Sequence, residues 1–172
     1  MPRPTAIRMT NEPPPAGTAL FLIGMKVTKP WHLRAWLSVF IAMPRMLRYL
    51  QAHPEAGMLS ARLCASPDAS FSVVSYWRSA TDLQRFAADP DAPHLPAWRW
   101  FTKIYADRDK VGIWHETYVI GDHEAISSGM PPYGLTAAVG ARPIEPGTRT
   151  AAGRLRQSTH PRPPTADTQE PG

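Results

Sequence analysis

Residues 58–77 read MLSARLCASPDASFSVVSYW, and Ser79-Ala-Thr-Asp82 follows directly. Met58–Ala65 and Ser70–Trp77 are two strand-like runs, and Ser66-Pro67-Asp68 between them is turn chemistry. The pair predicts an antiparallel hairpin. In the second run Phe71, Val73, Ser75 and Trp77 share one face, and Ser72, Val74 and Tyr76 share the other. Ser79 is a good N-cap, and Asp82 three residues on makes a weak capping box. The hairpin therefore feeds a helix whose apolar side is Leu83 and Phe86, broken by Asp89-Pro90-Asp91-Ala92-Pro93.

Working outward, Leu20–Val27 is a short apolar run suited to a strand buried on both faces. Pro30 opens a helix over Trp31–Ala52, with Trp36, Phe40, Met43, Leu47 and Leu50 at spacings of three and four. Pro44 predicts a kink or a break near Met43. Leu37, Val39, Phe40, Ile41, Met43 and Met46 give this helix more apolar breadth than one buried face needs. The excess predicts a pliable pocket wall around Phe40 and Met43. Downstream, His94–Ala106 reads as a second helical piece and Val111–Ile120 as a fourth strand. Glu124–Ser127 reads as a short extra strand and Met130–Gly134 as an extended arm.

The order βα-ββ-αβ predicts an α+β fold: a ferredoxin-like protomer with helices on one face of an antiparallel four-stranded sheet. The other sheet face needs a cover, which a second copy supplies in a homodimer. The domain is expected over 17–139. Residues 1–16 and 140–172 are rich in proline and short of apolar side chains, so both are expected to be disordered. All six tryptophans lie between them.

The net charge of +5 is spread thinly. About half of it falls on the two extensions, five arginines against three carboxylates lying beyond residue 140. Lys and Arg are not gathered on one face of a folded element, so no nucleic-acid partner is expected, and the basic tail is read as solubilising. A single cysteine, Cys64, allows no intramolecular disulfide and fits a reducing cytoplasm. The start of the chain lacks the apolar core of a signal peptide. The longest apolar stretch, Ala35–Met43, is far short of a membrane span, so no membrane partner is expected.

Motifs for phosphate, zinc or nucleophile-elbow chemistry are absent, and no metal site is expected. Two histidines stand out. His115, in Gly112-Ile-Trp-His-Glu-Thr-Tyr118, suits a general base, a substrate anchor or a haem ligand, or else a structural residue of the sheet. His94 opens His94-Leu-Pro-Ala-Trp-Arg-Trp-Phe101 at a helix start, where exposed amides hold anionic or carbonyl groups. Trp77 and Trp98 are candidate walls of an apolar cavity, with core packing as the plain alternative. Arg99 and Arg78 suit an acidic or enolic oxygen, unless they pair with Asp82 or Glu116.

Together Tyr76-Trp-Arg-Ser79, Asp82-Leu83, His94-Leu-Pro-Ala-Trp-Arg99, Gly112–Tyr118 and Met130–Gly134 resemble a monooxygenase-like family of the dimeric α+β barrel superfamily. That superfamily includes the antibiotic-biosynthesis monooxygenases. The resemblance covers residues 18–136. It implies a homodimer with a ligand cleft between helices and sheet. It also implies a cofactor-independent monooxygenase of secondary metabolism, acting on a hydrophobic, aromatic or polyketide-like small molecule. In that reading His115 and His94 are catalytic, and Trp77, Trp98, Arg99, Glu116, Phe40 and Met43 bind substrate. The alternatives are a haem-binding enzyme related to aldoxime dehydratases, or a non-catalytic dimeric small-molecule-binding protein.

Overall fold

The computed structural model describes residues 7–93, 99 and 111–159. In chain order the strands and helices are β1 (Arg8–Asn11), β2 (Ala19–Val27), α1 (Leu33–Ala52), β3 (Met58–Ser66), β4 (Ser70–Trp77), α2 (Ala80–Ala88), β5 (Val111–Val119), β6 (Ser127–Ser128), α3 (Leu135–Val139), β7 (Ala141–Pro143) and α4 (Ala151–Thr159). They fall into two compact units. One is Pro15–Ile120, and the other joins the segments on either side of it.

The larger unit carries the four-stranded sheet, in the order β3-β4-β2-β5. Every neighbouring pair is antiparallel. This is the ferredoxin-like arrangement, with β2 and β4 central and the hairpin partner β3 on an edge. The register places Ala19, Phe21, Ile23 and Met25 of β2 opposite Trp77, Ser75, Val73 and Phe71 of β4. Because side chains alternate, all of these share one face. That face carries the core: Ala19, Trp77, Leu50, Leu83 and Phe86 are buried together, with Met46 and Tyr49 of α1 packed against them. The opposite face carries Leu20, Leu22, Val74 and Tyr76, all half-buried rather than enclosed. So β2 is not buried on both faces by this chain alone.

Local chemistry explains the element ends. Trp36 Nε1 donates to the carbonyl of Pro30 across the first turn of α1, 3.0 Å away. No side chain caps α1 at His32, and His53 closes it. Gly57 then turns the chain at φ +94°, where a Cβ would sit 2.7 Å from Asp82 Cβ. Ser79 caps α2 as expected, its Oγ accepting from the Asp82 amide at 3.0 Å. Asp82 does not reach back to complete a box; its carboxylate takes Arg78 Nε and Arg85 NH1, each at 2.9 Å.

Pro44 does not break α1, which is helical throughout Leu33–Ala52. An interior proline costs ~3 kcal/mol. Anchoring of Leu50, Met46 and Tyr49 on the sheet holds the following turns in line and offsets that cost.

The second unit corrects the expected limits of order. Residues 8–11 and 141–159 form elements where disorder was expected, and the sheet unit closes at Ile120 rather than 139. The small sheet runs β6-β1-β7. Its interior is largely polar and hydrogen-bonded, which a count of apolar residues cannot reveal. Thr10 Oγ1 donates to Ala125 O at 2.9 Å, and the buried Arg154 donates through Nε to Glu124 Oε2 at 2.7 Å. Pro143 is tolerated because β7 is an edge strand. The extra strand expected at Glu124–Ser127 is reduced to Ser127–Ser128, and Met130–Gly134 leads into α3, with the Tyr133 amide donating to Thr136 Oγ1. No helix among the described residues is long and apolar enough to cross a membrane.

Candidate functional site

Between α1 and the core face of the sheet lies a cavity of about 230 Å³. The helix contributes Phe40, Met43 and Pro44; the strands contribute Ile23, Met25, Leu63, Ala65, Phe71, Val73 and Ile113. Register assembles this wall. Met25 lies opposite Phe71 on one side and Ile113 on the other, and Ile23 lies opposite Val73. Phe40 stands edge-on to Phe71, ring centres 5.3 Å apart, and is 45% exposed, so it sits at an opening. Gly24, Cys64 and Ser72 also border the cavity. Strand alternation directs the Cys64 and Ser72 side chains to the opposite face, so the side chains that face inward are apolar and uncharged.

His115 lies on the cavity's side of β5, directly opposite Ile23 and two residues from Ile113. Its ring centre is 6.0 Å from that of Phe21. It is exposed and stands beside the lining rather than in it.

The other expected residues distribute differently. Phe40 and Met43 line the cavity, as the apolar breadth of α1 suggested. Trp77 does not: it is 2% exposed within the core, with Nε1 donating to Ser75 Oγ at 3.0 Å. Its position at the end of β4, beneath α2, places it in the packed half of the face. Glu116 is on the opposite sheet face, one residue out of phase with His115, and accepts from the Tyr118 hydroxyl at 2.7 Å. That bond holds the phenolic proton and pushes the Tyr118 pKa up. Arg99 is exposed on a helical turn, and Arg78 is committed to Asp82. His94 and Trp98 lie outside the described residues.

Sequence reasoning missed Pro44 and the strand residues Ile23, Met25, Phe71, Val73 and Ile113 as cavity wall. The alternation of Phe71 and Val73 was visible, but only the register shows that their face is left partly unfilled. Among the described residues no group of three or more His, Cys, Asp or Glu side chains is placed to hold a metal ion.

A family model described as monooxygenase af470-like matches residues 18–135. Among solved structures, the chain is similar to SnoaB, a cofactor-independent oxygenase from Streptomyces nogalater. The identity is 17% over 61% of this chain and 94% of that one, with a TM-score of 0.44. It is also similar to the aldoxime dehydratase OxdRE, solved with butyraldoxime, at 18% identity over 69% of this chain and a TM-score of 0.56. The likeness spans 36% of the OxdRE chain. A further aldoxime dehydratase structure gives 18% identity, 68% and 38% coverage and a TM-score of 0.52. At these identities the two dehydratases show a shared fold. No curated protein matches the sequence.

Proposed function

Because the chain belongs to the monooxygenase af470-like family, we propose that it oxygenates a hydrophobic, aromatic or polyketide-like small molecule without a metal or organic cofactor. The observation that carries this reading is the cavity between α1 and the sheet, with an apolar wall and His115 beside it. His115 is assigned as the base that takes a proton from an electron-rich ring carbon or its enol. A dry wall strengthens the interactions around the resulting anion. The anion then reduces dioxygen. A ring CH₂ becomes a carbonyl, one oxygen atom stays on the carbon and the other leaves as water. Both C–H bonds supply the electrons, so no outside reductant is needed. His94 is assigned as a second polar group of the site, with Trp98 and Arg99 as substrate contacts, on sequence grounds.

A haem in this cavity would need an axial ligand at the wall. The described lining side chains offer no imidazole there, and the Cys64 side chain is directed to the far face. Among the described lining side chains none supplies such a ligand, which supports the cofactor-free reading. The half-buried face of Leu20, Leu22, Val74 and Tyr76, with Trp114 41% exposed, supports a homodimer formed sheet against sheet. The lone cysteine supports a cytoplasmic location.

The test is oxygen uptake with an anthrone as substrate. Wild type should turn over, and His115→Ala should lose about 100-fold or more in kcat, the usual scale for a general base. Wild-type turnover in His115→Ala removes the assignment. Oxygen uptake by neither protein, with tight anthrone binding, favours a binding protein. A Soret band on adding haem that disappears in His115→Ala overturns the cofactor-free reading.

A further inference from the structure

We propose that the main-chain carbonyl of Phe40 is a hydrogen-bond acceptor for the ligand, left free by Pro44. The cavity would then select apolar molecules that carry one hydroxyl or N–H donor. The inference rests on the reading of this cavity as the ligand site, and it adds the one polar feature such a ligand must have.

Pro44 lies in the interior of a continuous helix, Leu33–Ala52. In that geometry the carbonyl of residue 40 accepts from the amide of residue 44. Proline has no amide hydrogen, so this bond cannot form. Phe40 and Pro44 are one turn apart on the same helix face, and both line the cavity. In helix geometry the carbonyl of residue 40 is directed toward position 44, on the helix side shared by the lining residues Phe40 and Pro44. The remaining inward side chains, including Met43, Val73 and Ile113, have no strong donor or acceptor.

A purely apolar occupant shields this acceptor from solvent and leaves it unmatched, and the full desolvation cost is then felt. An occupant with a hydroxyl or N–H group restores the bond. The same geometry fixes orientation, because the donor must sit at α1 while the apolar body lies along Ile23, Val73 and Phe71. A phenol or enol held this way keeps its ring against β2 and β4, and Ile23 is the residue opposite His115.

The test uses the full chain and a matched pair of ligands, 1-naphthol and 1-methylnaphthalene, titrated by fluorescence. Wild type should bind 1-naphthol about tenfold more tightly, the scale of one net hydrogen bond. In Pro44→Ala the new amide re-pairs with the Phe40 carbonyl. The preference should fall to about twofold or less; because Pro44 is part of the wall, the ratio of the two affinities is the readout, not either affinity alone. Alanine is the better helix former, so the variant should stay folded, as far-UV circular dichroism will report. Equal wild-type affinities, or a preference retained in Pro44→Ala, overturn the inference and leave the cavity reading standing. Met43→Trp fills the cavity and should abolish both ligands. If it does not, or if neither ligand binds wild type, the inference and the cavity reading fall together.

Discussion

Asp82 has a side chain only 10% exposed, and two arginines meet it there. The bond from Arg78 is the main reason its pKa lies below the ordinary aspartate value, against the opposing effect of burial. A carboxyl depressed in the folded state stabilises fully above its unfolded pKa, and that contribution is lost as pH falls through the folded pKa. The stability difference between wild type and Asp82→Asn should therefore be full at neutral pH. It should shrink below about pH 4, as followed by urea unfolding across pH. Ser79→Ala removes the cap and should cost about 1 kcal/mol in the same assay. Gly57→Ala adds a left-handed backbone penalty to a collision with Asp82, and should cost about 1–3 kcal/mol or more. These residues were legible in part. The Ser79 cap follows from sequence alone, whereas the pairing of Gly57 with Asp82 joins two turns that only the fold brings together.

The hairpin of β3 and β4 was readable almost to the residue, because turn chemistry and period-two alternation agree there. In β4, Val73, Ser75 and Trp77 are buried in alternation, as that pattern required. Trp77→Ala should therefore behave as a core deletion, costing about 3–5 kcal/mol in thermal or chemical unfolding. A ligand-wall role would instead predict a binding defect with little loss of stability. Helix α1 was harder. Its apolar breadth pointed to Phe40 and Met43, but Pro44 suggested a break that packing prevents. Sequence spacing also could not reveal that Glu116 and His115, adjacent in β5, serve opposite faces in relation to one cavity; that needs the register with β2.

Across the molecule, the flanking segments were the least legible. Their proline content argued against order, yet backbone pairing and buried polar bonds organise them. Arg154 is 7% exposed and donates to the Thr148 carbonyl as well as to the more exposed Glu124, so Arg154→Ala leaves a buried acceptor unmatched. The loss should be about 1–3 kcal/mol. It should show as faster amide exchange across Ser127–Thr159, with β2–β5 protected as before. The proposed homodimer rests on the outer face of the larger unit. Val74→Asp places a charge in its middle and should shift the protein to monomer in analytical ultracentrifugation.

The proposed activity is oxygenation of a bound organic molecule with dioxygen alone. It is tested most directly by incubating the full protein with an anthrone under ¹⁸O₂, with chelator and without any added reductant, and weighing the product by mass spectrometry. One ¹⁸O atom per product molecule is expected, formed at a rate that falls in both His115→Ala and Met43→Trp. Product that carries oxygen from water, or no product above the rate without protein, would contradict it.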